Sequence, residues 1–323
     1  MNIKSGVVFA YAFALSIETI FIESITAVLQ ISPLTLAANS IPLAGGMLLF
    51  IVTFIMKEKI TVFKSWRYLL PGSAFTALGI ITWYDSVSRI GASKESTLTG
   101  PLEATVVLFL AWFFLKERLS KIQLVGSMIA IIGIFAAVMS GAALEVSWSL
   151  LLSSLFSIGD LEAILSAVAF AIAIIFLTKL VGFHSPIQVA GASLLISGLI
   201  LAAFQLIYYP EIPAVQELGF LLLYSFLPLI GALLYSMSLR KIGASITSII
   251  ASSAYLMTIM IQLTLRELGL KTILPENIPL LVVGGLLGLL GISLIHKDTI
   301  IMSFRRWSPQ FHQGLARKAR RDE

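Results

Sequence analysis

The chain has 323 residues, of which 58% are hydrophobic and only 12% charged, with a mean hydropathy of +0.97 and a formal net charge of +5. A soluble globular domain is about 45–50% apolar and 25% charged, so that class is excluded. The absence of cysteine excludes disulfides, zinc-thiolate sites and thiol catalysis, and the basic residues flank apolar runs in a way that argues against nucleic acid as a partner.

A bilayer core about 30 Å thick needs roughly 20 apolar residues per helix. In chain order, the apolar runs predict spans over residues 6–23, 32–56, 67–86, 94–115 and 122–139. The first run superficially resembles a signal peptide, but Glu18 interrupts it and no small-residue cleavage pattern closes it, so it reads as a retained helix. A segment over 141–160 follows, whose apolar stretch 148–156 is too short to span and predicts an interfacial helix. Five more spans are predicted over 161–180, 186–208, 218–239, 244–265 and 278–295. The organisation is therefore an all-α membrane protein of ten transmembrane helices: a first five-helix unit (1–140), a connecting segment (141–160), a second unit (161–296) and a basic tail (297–323).

With the N-terminus inside, eighteen of the 22 Lys and Arg residues fall on the inner side, which predicts a cell (cytoplasmic) membrane protein with both termini cytoplasmic. The tail, with Arg305, Arg306, Arg317, Lys318, Arg320 and Arg321, is expected to favour anionic lipid.

Sliding the chain upon itself exposes a repeat. At a slide of 153, Ser32-Pro33 meets Ser185-Pro186, Ser40 meets Ser193 and Gly45 meets Gly198. At 152, Ser73 meets Ser225, Gly79 meets Gly231, Trp83 meets Tyr235, and Gly91-Ala92-Ser93 meets Gly243-Ala244-Ser245. Gly126 and Gly133 share their seven-residue spacing with Gly284 and Gly291. An odd number of helices per unit makes the two units enter the membrane in opposite directions, as in secondary transporters with inverted repeats.

Polar residues inside apolar helices are candidates for function. Glu18 lies well inside the first span, on a face with Tyr11 and Leu15; snorkelling toward the surface is the competing reading. Glu103 is deeper, two residues past Pro101, on a face with Ser96, Thr99 and Gly100. It coincides at a slide of 152 with Tyr255, which shares a stripe with Ser248 and Ser252. Glu18, Glu103, Ser252 and Tyr255 are thus expected to bind a cationic or zwitterionic solute, with proton exchange as a further role for the carboxylates. Trp83 and Tyr235 could stack on such a cargo by cation–π attraction, although anchoring in the interfacial aromatic belt is the stronger expectation. Asn39 is expected to bond to the first or third helix, Asp85 to be a solvated charge, and the helix-five and helix-ten glycines to serve close packing.

The segment Gly100-Pro101-Leu102-Glu103 through Leu115-Lys116-Glu117-Arg118, a helix carrying Pro and ending near a Glu, resembles the EamA branch of the drug/metabolite transporter superfamily. The second unit keeps Glu267 but has Ala251-Ser252-Ser253 in place of the proline. The resemblance implies ten helices, a central cavity lined mainly by helices one, three, four, six, eight and nine, and scaffold roles for helices five and ten. It also implies cargoes among amino acids, amines, nucleotide sugars, sugar phosphates and drugs.

No HExxH, GxSxG or P-loop is present, and His184, His296 and His312 lie at predicted membrane edges or in the tail, so no enzyme, metal site or cofactor is expected. The reading is a secondary active transporter of a small metabolite by alternating access, with protons as a candidate coupling ion. An amino acid, amine or cationic drug-like solute is the preferred cargo, because no lysine or arginine is expected within the spans. The alternatives are a lipid-linked substrate flippase and a non-transporting scaffold or receptor.

Overall fold

The computed structural model describes residues 3–115, 120–141, 157–210 and 215–295. The predicted interfacial helix, Glu117 and the basic tail lie outside these residues. All regular structure in the described residues is helical: α1 (Ile3–Ser24), α2 (Pro33–Phe50), α3 (Trp66–Ile90), α4 (Ala92–Leu115), α5 (Lys121–Met139), α6 (Ile158–Phe183), α7 (Pro186–Tyr208), α8 (Val215–Tyr224), α9 (Phe226–Ser252), α10 (Ala254–Glu267) and α11 (Ile278–Ile295). π-Helical turns at Ile25–Leu29 and Ile51–Ile55 prolong α1 and α2.

Among the described residues, seven helical stretches are long and apolar enough to cross a membrane by length and composition. Neither α3 nor α4 is among them. Both carry polar residues that the fold turns inward, including Ser73, Thr76 and Ser86 in α3 and Glu95, Thr97, Thr99 and Thr105 in α4. The outside is the reverse: Phe113, Phe183, Leu223 and Met260 are each at least 69% exposed. Buried hydroxyls beneath an apolar exterior are what a lipid solvent selects, since polar groups must find partners inside the protein.

Local sequence explains the helix starts. Ser32 caps α2 by accepting from the Thr35 amide at 3.1 Å, with Pro33 in the first turn, and Ser185-Pro186 opens α7 with the same residue types. Ser157 and Asp160 form a reciprocal cap, which starts α6 three residues before the expected position 161. A single residue, Gly91 at φ 82°, joins α3 to α4, a conformation that favours glycine.

The expected gap near residues 240–243 is absent, because helical backbone runs unbroken through α9. The chain nevertheless reverses between Gly231 and Ala254. A Cβ on Gly231 would stand 3.2 Å from Glu18 Oε2, while the carbonyl of Ala254 accepts from Ser16 Oγ at 2.8 Å. Both ends of this segment thus meet the same stretch of α1, whereas 23 residues of straight helix would separate them by about 35 Å. The actual breaks fall at Ser225 and Ser253.

Packing pairs the two units helix by helix: α3 with α6, α1 with α9, α2 with α7, and α5 with α11. Glycines set the last pair. Cβ atoms on Gly126 and Gly133 would stand 2.6 Å from the Gly291 carbonyl and 2.5 Å from the Gly284 carbonyl, so the expected close-packing role is met within the chain.

Candidate functional site

A cavity of about 180 Å³ lies between the two units. Helix α1 contributes Tyr11, Leu15, Glu18 and Thr19, the spacing of one helical face. Glu95, Ser96, Thr99, Gly100 and Glu103 do the same from α4. Trp83 of α3, Phe170 of α6, Tyr235 of α9 and Tyr255 of α10 complete the aromatic wall. Ile41 of α2 and Ser193 of α7 also reach it, so two helices beyond the expected six take part. Among the described residues, no lysine, arginine or histidine lies on the wall.

Two of its carboxylates are held by hydroxyl and indole donors. Tyr224 OH donates to Tyr84 OH at 3.0 Å, and Tyr84 OH donates to Glu18 Oε1 at 3.2 Å. Glu18 is only 5% exposed within the protein, so it does not snorkel toward lipid headgroups. Glu95 accepts from Trp83 Nε1 at 3.1 Å, from Ser96 Oγ at 3.4 Å and from Thr99 Oγ1. Glu103 is different: it is half-buried, and no hydrogen bond from a described residue reaches it. Tyr11 and Tyr235, whose ring centroids are 5.1 Å apart, line the cavity with it.

Five of the six residues singled out in the sequence therefore meet on one cavity: Glu18, Trp83, Glu103, Tyr235 and Tyr255. The side chain of Ser252, like that of Ser248, lies outside the described residues. Trp83 is buried against Tyr84 and Phe170 rather than placed in an interfacial belt, because its N–H is committed to Glu95. Tyr255 presents its ring to the cavity, but its hydroxyl donates to the Gly285 carbonyl on α11.

Sequence reasoning missed Glu95, placed one residue inside the expected start of the fourth span. The signal was available, since Glu95, Thr99 and Glu103 recur every four residues on one helical face. It also missed Lys94, which is buried and pairs with Asp160 of α6 at 2.7 Å. Asn39 donates to the Thr35 carbonyl of its own helix and to Gln205 on α7, not to the first or third helix, because α7 is the neighbour of α2.

Around this end of the cavity, Glu23 accepts from the backbone amides of Ala92 and Ile273, each at 2.7 Å, and from Gln262, which in turn accepts from Ser93. Arg89 bridges Asp85 and Glu162 at 3.0 and 3.1 Å. Each of these ties spans the two units or the ends of helices, and none of Glu23, Lys94 and Arg89 lines the cavity.

A repeated arrangement of this kind has a sequence counterpart: the chain matches the EamA-like transporter family over residues 4–139 and again over 157–296. It belongs to the EamA-like transporter family. An EamA-like protein is an integral membrane transporter of small solutes, which accounts for a polar cavity inside an apolar exterior. A solved structure described only as "Crystal structure of protein" superposes with a TM-score of 0.58 at 14% identity, over 90% of this chain and 98% of that one, a likeness of fold alone. A comparison with curated proteins finds no match.

Proposed function

We propose that this EamA-like chain is a secondary active transporter of the cytoplasmic membrane that works by alternating access. Ten spans form two inverted halves, residues 1–140 and 161–296, with both termini cytoplasmic and the basic tail on anionic lipid. Its cargo is an amino acid, an amine or a cationic drug-like solute held between the halves, with Glu103 and Glu18 as charge partners and protons as the coupling ion. Trp83, Tyr235 and Tyr255 supply aromatic walls, with Ser252 beside them.

One observation carries this reading: the cavity shared by the halves is lined by three carboxylates and several aromatic rings, with no cationic side chain among the described residues. Such a wall attracts positive charge and disfavours sugar phosphates and other anions. The reversal of the chain between Gly231 and Ala254 supports two spans there, and therefore an odd number per half. The pairing also supports a twofold relation. Exchanging the halves turns the α3–α6 pair into the α1–α9 pair and returns α2–α7 and α5–α11 to themselves.

The test is a thermal-stability screen of the purified protein against amino acids, quaternary amines, nucleosides, nucleotide sugars and sugar phosphates. Uptake of each stabilising solute into proteoliposomes under a pH gradient follows. A ligand at 100 times its Kd adds about 2.7 kcal/mol to the native state. Cations or zwitterions are expected to stabilise the protein and to accumulate. Stabilisation by anions or lipids alone would overturn the cationic reading and point to a flippase or scaffold.

A further inference from the structure

The ion pairs among the described residues are Arg89 with Asp85, Arg89 with Glu162, and Lys94 with Asp160. Glu18, Glu95 and Glu103 have no such partner, yet all three border one cavity. A carboxylate held away from water without a counter-charge is costly, so each must be compensated by a proton or by a cation that enters. A cargo with one ammonium group compensates one of them.

The placement of these groups suggests more. Glu95 and Glu103 are eight residues apart on α4, about 12 Å along a helix axis. Trp83 is bonded to the Glu95 carboxylate, and the Tyr11–Tyr235 ring pair lines the same cavity as Glu103. Between Tyr11 and Glu18 on the α1 face lies Leu15, and Ile80 of α3 and Leu194 of α7 add further apolar surface. The cavity thus has two carboxylates eight residues apart on α4, aromatic rings on its wall, and apolar side chains together with the Thr99 hydroxyl lining it as well. Each carboxylate is suited to an ammonium head by charge, with the rings adding cation–π attraction, and the apolar side chains are suited to methylenes.

We propose that the preferred cargo is an elongated amine with two or more ammonium groups, a linear diamine or polyamine, one head lying at Glu103 and another between Glu18 and Glu95. This rests on the amine reading above and makes it narrower. Binding displaces the compensating protons, one for each ammonium–carboxylate pair that forms. Charge is thereby conserved in the cavity, and the number of protons released rises with the number of heads.

The experiment compares octane-1,8-diamine with 8-aminooctan-1-ol, equal in length but with one head uncharged, on the full-length protein in detergent. The diamine is expected to bind at least tenfold more tightly, with an optimum near eight methylenes, about 11 Å between nitrogens at roughly 1.2 Å per bond. In Glu95→Gln the advantage should shrink toward unity; Glu18→Gln serves the same purpose if that variant does not fold, and the comparison on the unaltered protein needs no variant. Equal or tighter binding of the amino alcohol overturns the two-headed inference while leaving the amine reading intact. If neither compound binds, the amine reading falls, and this inference with it.

Discussion

The fourth span and its repeat mate, formed by the end of α9 with α10, started from similar sequences and have diverged in an instructive way. Helix α4 runs unbroken from Ala92 to Leu115 through Pro101, whereas the mate is interrupted at Ser253, the position that corresponds to that proline. On α4 the cavity face carries Glu95, Thr99 and Glu103; at a slide of 152 their counterparts are Thr247, Ala251 and Tyr255. Among the described residues, only the first half brings charge to the cavity. The second half brings an aromatic ring and a break whose Ala254 carbonyl is satisfied by Ser16 of α1. The glycines that let α5 meet α11 occur in both halves at matching spacing. Packing has thus kept its symmetry while the cavity has not.

The largest effect tests whether charge of the first half also holds the halves together. Lys94→Met strands Asp160, a buried charge, and should destabilise the protein by about 3–5 kcal/mol. The double variant Lys94→Met/Asp160→Asn should recover much of that loss in a detergent melting curve. Failure of the double variant to recover would mean that the pair matters for something other than charge balance.

Next comes the division of labour within the cavity. Glu103→Gln should weaken cationic cargo about 10- to 100-fold, the range of a lost charge-assisted contact of roughly 1.5–3 kcal/mol. Tyr255→Phe keeps the ring and loses only the bond to Gly285, so its effect on cargo affinity should be several-fold smaller. Binding curves on the two variants decide the matter, and comparable losses would contradict a one-sided distribution of charge.

The symmetric scaffold gives a smaller signal. Gly133→Ala drives a methyl to 2.5 Å from the Gly284 carbonyl and should cost about 1–3 kcal/mol. Gly46→Ala, with nothing within 4 Å of the new methyl, should be neutral or stabilising by about 0.4–1 kcal/mol. Melting temperatures of the two variants compare a packed glycine with an open one.

The smallest effect lies at the α6–α7 corner. There His184, hydrogen-bonded with Thr61 at 3.1 Å and Ser65 at 2.8 Å, has its imidazole pushed below the ordinary value by partial burial. The unfolded chain then binds the proton more readily than the native one. The contribution is present above about pH 6.5 and is lost as pH falls through the lower native value. His184→Gln should flatten the melting profile slightly across that acidic window.

Much of the fold was legible because the bilayer enforces a simple code. Apolar runs located the helices, and α7 and α11 fall where the sequence put them, at residues 186–208 and 278–295. Serine, proline and glycine marked starts and turns through backbone effects that act within a few residues. The gap expected at Arg240-Lys241-Ile242-Gly243 between the eighth and ninth spans was not met, because helical backbone runs on through it and the breaks fall at Ser225 and Ser253.

For the site, the sequence by itself determined which polar residues sit among apolar ones and which helical faces they share. That was enough to single out Glu18, Glu103, Trp83, Tyr235 and Tyr255. Only the tertiary structure decided what each of them touches. Trp83 turned from an expected belt residue into a donor to Glu95, the Tyr255 hydroxyl went to Gly285, and Lys94 found Asp160 on α6. The physical reason is range: periodicity and capping are set by neighbours along the chain, whereas partners for a buried polar group come from helices distant in sequence, brought together only when the two halves close on each other.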